Sequence, residues 1–178
     1  MHRKNIIMKY TLRSKQLKKY LFFPLLRMIV IIVVFTIGSL VWFDVPKQQS
    51  VLVITVTLLV ISVFHLIPLI ILAIRHYQLS RHAFLSFNST DNQCWYKEGD
   101  KEISFNLNEI EKVTKVVSPP VYDKRIDILG FGYFFYWKIL LRDGTTLSIS
   151  CMLVDTNSFF GKSERMEKKM FPIPLSNR

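Results

Sequence analysis

The stretches LFFPLLRMIVIIVVFTIGSLVWF (Leu21–Phe43) and VLVITVTLLVISVFHLIPLIILAI (Val51–Ile74) decide the architecture of this 178-residue chain. The first carries one charge, Arg27, and the second carries none. A helix needs roughly 20 apolar residues to cross a hydrocarbon core about 30 Å thick. The rest of the chain is too small to wrap two such helices as core, so both read as membrane spans. Between them, Asp44-Val-Pro-Lys-Gln-Gln-Ser50 contains Pro46, which ends the helical pattern and leaves room only for a reversal. The spans therefore form an antiparallel hairpin. Arg27 lies two turns inside the first, where its long side chain reaches back to the headgroups and marks the membrane edge.

The chain divides around this hairpin into a basic arm (1–20), the hairpin (21–75), one soluble domain (76–171) and a short tail (172–178). The net charge of +11 invites a nucleic-acid reading until it is divided in the same way. Residues 1–20 hold seven Lys or Arg and no acid, whereas residues 76–178 hold 14 basic and 12 acidic side chains. The basicity belongs to the membrane end, so no nucleic-acid partner is expected. Arm residues Lys15, Lys18 and Lys19, with Arg27, form a basic membrane edge. Such residues stay in the cytoplasm, which puts both termini at the cytoplasmic face of an inner membrane. The same arm can lie on anionic lipid. The apolar run is too long for a secretory signal, ends in Val41-Trp42-Phe43 and is followed by a second span, so no cleavage is expected.

Cys94 and Cys151 then lie in a reducing compartment as small apolar strand residues, without the repeated spacing that zinc needs. No metal and no cofactor are expected. His65 and Pro68 interrupt the second span; a lone His without a charged partner reads as a helix-contact residue.

Beyond Arg75 the apolar period changes from helical to alternating. Tyr77 to Phe87 reads as two short strands pivoting near Arg81-His82. Gln93–Glu98 and Lys101–Leu107 read as a hairpin around Gly99-Asp100, pairing Tyr96 with Ile103 and Cys94 with Phe105. Leu107 to Val117 reads as an irregular turn leading into a strand. In the next hairpin, Tyr133, Phe135, Trp137, Ile139 and Leu141 form one apolar face. A two-residue Asp143-Gly144 loop would mismatch that face with Leu147, Ile149 and Cys151. A three-residue loop, Arg142-Asp143-Gly144, pairs Leu141 with Thr145, Ile139 with Leu147 and Trp137 with Ile149, with Gly144 left-handed. After Cys151 a helix is expected: Asp155, Thr156 or Asn157 can cap it, Phe159, Met166 and Met170 share a side, Glu164 and Lys168 are spaced i,i+4, and Pro172 and Pro174 stop it.

Two spans, the segment Ile103-Ser-Phe-Asn-Leu-Asn-Glu-Ile-Glu-Lys-Val113 and the hairpin Leu141-Arg-Asp-Gly-Thr-Thr-Leu-Ser-Ile149 resemble small bacterial membrane proteins with a pleckstrin-homology-like domain, including the YcxB-like group. The resemblance implies an α+β membrane protein: a transmembrane helical hairpin followed by a PH-like antiparallel β-barrel of about seven strands, plugged by a C-terminal helix. Relatives of that fold bind phosphoinositides through a basic loop between the first two strands; the matching turn here offers only Arg81 and His82. No Gly-flanked nucleophile, paired carboxylate or His-Glu-His spacing accompanies it, so no enzymatic activity is expected.

The functional reading is a non-catalytic, membrane-anchored interaction module whose partners are the lipid bilayer and a protein at the membrane. An immunity or envelope-stress protein is the alternative, and a membrane enzyme or transporter fits less well. The place to look is the loop Ser118–Gly132, which is long for so small a domain. Its apolar residues, including Ile128 and Leu129, either fold back over an open barrel end or present a site. In the second case Tyr122, Ile126 and Phe131 contact a partner or the headgroup layer, with Lys124 and Arg125 supplying attraction.

Overall fold

A computed structural model of the protein describes residues 7–42, 47–127, 130–156, 158–159 and 164–175. Two long helices dominate it. The first runs through Ser14–Leu17, a π-helical turn Lys18–Phe22 and Phe23–Trp42; the second runs through Lys47–Ile61, a π-helical turn Ser62–Leu66 and Ile67–Arg81. Both are long and apolar enough to cross a membrane. Their apolar faces are uncovered, with Val34, Val51 and Phe64 exposed by 64%, 71% and 67%, which is not how the core helices of a soluble fold sit. Residues 44–46 of the connector lie outside the described residues, while Lys47–Ser50 is already helical.

The second helix continues through Arg81, correcting the expectation of strands from Tyr77. Leu72, Ala73, His76, Leu79 and Ser80 are all buried, and that helical spacing gives the segment a face to bury against the β domain. Alternation over so few residues could not reveal it.

Among the described residues eight strands follow in chain order: β1 (Ile7–Thr11), β2 (Ala83–Asn88), β3 (Gln93–Glu98), β4 (Lys101–Asn106), β5 (Ile110–Val117), β6 (Phe135–Leu141), β7 (Thr146–Ser150) and β8 (Glu164–Lys168). They make two four-stranded sheets, ordered β1-β2-β3-β4 and β7-β6-β5-β8, and not the single barrel expected. Leu85, Tyr96 and Phe105 from the first sheet share one core with Val113, Trp137, Ile139, Leu147 and Ile149 from the second.

The stretch read as a basic arm supplies a strand. Tyr10 pairs with Leu85 and Met8 with Phe87, and Tyr10 packs against the core. The two helices are therefore inserted between adjacent strands of one sheet. The closing helix is also corrected, because Glu164–Lys168 pairs in parallel with β5 from Val113 to Val117. Met166 and Met170, expected to share one side of that helix with Phe159, are 51% and 61% exposed. Without an apolar face to bury, the segment gains more from satisfying the open backbone edge of β5 than from forming an isolated helix. Phe159 is fully buried, with its ring centroid 5.8 Å from that of Trp137, and fills the core position intended for the helix.

Both hairpins have the expected registers. Cys94 faces Phe105 and Tyr96 faces Ile103 across Gly99-Asp100. Trp137 faces Ile149 and Ile139 faces Leu147; the Leu141 N–H donates to Thr145 O at 2.9 Å, and Gly144 has φ +87°. Leu107–Glu109 is a 3₁₀ turn before β5, with Asn106 capping Asn108 N–H and Glu109 accepting Asn106 N–H.

Candidate functional site

Two features meet where the long helices join the β domain. The first is the loop between β5 and β6. Pro119–Tyr122 forms a single helical turn and Phe131–Tyr133 a 3₁₀ turn; Ile128 and Leu129 lie outside the described residues. Asp127 organises the rest. Its carboxylate accepts the N–H groups of Gly130 at 3.1 Å and Gly132 at 2.8 Å, and its carbonyl accepts a hydrogen bond from the Arg27 guanidinium. Arg27, expected to reach the headgroups, is thus used to hold the loop against the first helix.

Of the five loop residues singled out from the sequence, four reach the surface. Ile126 is 83% exposed and Tyr122 is 43% exposed. The Lys168 ammonium lies 5.2 Å from the centre of the Tyr122 ring and 3.0 Å from Asp123 Oδ1. Lys124 adopts φ +54°, and Arg125 pairs with Asp123 at 2.9 Å while remaining exposed. Phe131 does not reach the surface. It is 4% exposed and stacks edge-on against Phe171 at 5.5 Å, so it anchors the loop from below.

The second feature is a cleft of about 540 Å³ at the start of the first helix, lined by Lys9, Arg13, Lys15, Lys18 and Lys19 among others. Lys19 and Tyr20 both bond to the Asp155 carboxylate, at 2.5 and 2.6 Å. Sequence reasoning picked out Lys15, Lys18 and Lys19 and missed their convergence with Lys9. The alternation of Met8, Lys9, Tyr10 and Thr11 was the available signal.

Beneath these features the helices are fastened to the domain. Tyr20, Met28, Leu69, Leu72 and Ala73 pack with Phe131, Phe134, Cys151 and Met152. His76 is fully buried there, with Nε2 2.9 Å from Pro172 O and Nδ1 2.9 Å from Ser150 Oγ. A carbonyl only accepts, so Nε2 carries the proton and Nδ1 accepts from the Ser150 hydroxyl. Burial pushes this imidazole down to about 4, which keeps it neutral. Burial likewise pushes the thiols of Cys94 and Cys151 up to about 12, far from the reactive thiolate range. Both are free. Among the described residues no group of three His, Cys, Asp or Glu is placed to hold a metal ion.

Two sheets around one core and two long helices with uncovered apolar faces make an α+β fold, with an exposed loop and an adjoining basic cleft on its surface. A family model described as a PH domain matches residues 9–162, and the chain belongs to that family. The match spans both long helices as well as the strands on either side of them. No curated protein and no solved structure matches the chain. PH domains are generally non-catalytic modules that bind lipids or proteins.

Proposed function

We propose that this protein is a non-catalytic, membrane-anchored interaction module that holds its PH-like domain flat against the cytoplasmic face of a bacterial inner membrane, with both termini in the cytoplasm. Lipid-facing exposure of both long helices supports the anchoring, and the cationic residues at the start of the first helix support the orientation. The observation that carries the reading is the bond from Arg27 to Asp127 O. It ties the loop to a helix position about 9 Å beyond Leu21, at 1.5 Å per residue. Next to it stands Ile126, among the described residues the most exposed large apolar side chain of the soluble part. Tyr122, Ile126, Lys124 and Arg125 then form an amphipathic contact surface at the headgroup layer, open to a protein partner or to lipid.

A photoreactive amino acid placed at Ile126 in the full chain, irradiated in native membranes, tests this. Adducts to lipid or to a discrete membrane protein are expected there and not from the same probe at Lys97. Equal labelling at both positions would leave the loop as a cover over the sheet end.

A further inference from the structure

We infer that the basic cleft is a binding site for one anionic phospholipid, whose phosphate lies among Lys9, Arg13, Lys15 and Lys18 and whose acyl chain runs down the first helix. The inference rests on the membrane reading above and adds a ligand to it.

Charge is the first argument. Lys15 and Lys18 are one turn apart on the same helix face, and Lys9 and Arg13 reach the cleft from β1 and the helix start. The cleft's one carboxylate, Asp155, is taken by Lys19 and Tyr20, and no ion pair joins Lys9, Arg13, Lys15 or Lys18 to an acid among the described residues. Four cations around about 540 Å³ repel one another and create a strongly positive concavity. A phosphate meets that need, because Arg binds its oxygens in a bidentate fork and Lys supplies charged donors.

Shape is the second argument, and it separates a lipid from a free phosphate. A groove of about 560 Å³ lies directly alongside, lined by Leu17, Leu21, Phe22 and Leu25, and it shares Lys18 and Phe23 with the basic cleft. Leu17, Leu21 and Leu25 recur every fourth residue, so the groove follows the helix axis away from the cations. A cationic pocket opening into an apolar channel matches an amphiphile: head in the cleft, chain in the groove. Each volume lies in the range of small-molecule sites.

The test uses the full chain in nanodiscs made of equal parts phosphatidylglycerol and phosphatidylcholine, transferred to mild detergent and weighed by native mass spectrometry. One phosphatidylglycerol should stay bound in preference to phosphatidylcholine. Lys9→Gln/Arg13→Gln/Lys15→Gln should lower its retention by about tenfold or more, whereas Lys97→Gln/Lys101→Gln should leave it unchanged. Arg3, Lys4, Lys18, Lys19 and Arg27 remain in the triple variant to hold the orientation. Equal losses in the two variants, or no preference between the lipids, overturn the site. Glycerol 3-phosphate should displace the lipid far less well than lysophosphatidylglycerol; equal displacement overturns the acyl groove and leaves a phosphate site alone. Alkaline extraction of the same membranes separates the two readings: a chain released from membranes defeats the anchoring, while an extraction-resistant chain without lipid preference defeats only this inference.

Discussion

Arg27, in the first long helix, donates a hydrogen bond to the backbone carbonyl of Asp127, a residue 100 positions further along the chain. The same aspartate accepts the N–H groups of Gly130 and Gly132 with its carboxylate. One residue therefore closes the loop on itself and fixes it to the helix. Ile126 is left facing outward by its neighbour's bonds, with no partner of its own needed to hold it there.

That arrangement leaves no room beside Gly132. A Cβ there would sit 2.8 Å from Asp127 Oδ2 and 2.7 Å from Val121 Cγ2, and the carboxylate cannot retreat without losing its two N–H donors. Gly132→Ala should cost about 1–3 kcal/mol, read as a lowered melting temperature of the purified full chain. Gly38→Ala, where a Cβ meets nothing within 4 Å, should change stability little. Equal shifts in both variants would remove Asp127 from its organising role.

Trp137 is fully buried, donates from Nε1 to Val154 O at 3.3 Å and packs against Phe135 and Phe159. Trp137→Ala should lose about 3–5 kcal/mol. Lys138 points the other way on the same strand and is exposed, so Lys138→Ala should stay within about 0.5 kcal/mol. Denaturant melts of the two side by side check the assignment of the strand's faces.

His76 makes stability depend on pH in a definite direction. Its folded value of about 4 lies below the ordinary 6.5, so the unfolded chain binds the extra proton. The contribution is complete above pH 6.5 and is lost as pH falls from there through 4, by about 3 kcal/mol in all. His76→Gln should flatten this part of the profile. The check is the difference between the two proteins' melting temperatures from pH 7.5 to pH 4.5, which cancels carboxylates common to both. A constant difference would mean that His76 is not buried as a neutral ring.

The proposed orientation predicts that a cysteine introduced at Gln48, in a chain whose native thiols are buried, reacts with impermeant maleimide from outside intact cells. A fusion reporter after Ser176 should show activity only as a cytoplasmic reporter. The reverse pattern would place the β domain on the other side and defeat the cytoplasmic reading.

The hairpins were legible in the sequence because everything that determines them is local. Gly99 and Gly144 supply left-handed turns, and alternation on either side allows only one register that keeps apolar faces together, as Tyr96 with Ile103 and Trp137 with Ile149 show. β1 and β8 were not legible, and both are edge strands. Their partners, β2 and β5, lie dozens of residues away, and their own side chains are mostly exposed, so β1 offered only the short alternation Met8-Lys9-Tyr10-Thr11 and β8 no apolar period at all. Of the candidate loop, composition conveyed that it was more apolar than a solvated segment. It could not convey that Phe131 turns inward while Ile126 turns outward, because that division depends on Arg27 and Phe171, which fold onto the loop from elsewhere.

Threading two long helices between β1 and β2 also sets an order of events during synthesis. The strand Ile7–Thr11 leaves the ribosome first, yet its ladder partner Ala83–Asn88 is made only after both helices. Local turns such as Gly99-Asp100 can close within microseconds of emerging, whereas the first strand must wait through about four to fourteen seconds of elongation at 5–20 residues per second. Throughout that interval the first strand, with its one cation Lys9, has no ladder partner, so the first sheet can be completed only after both helices have been made.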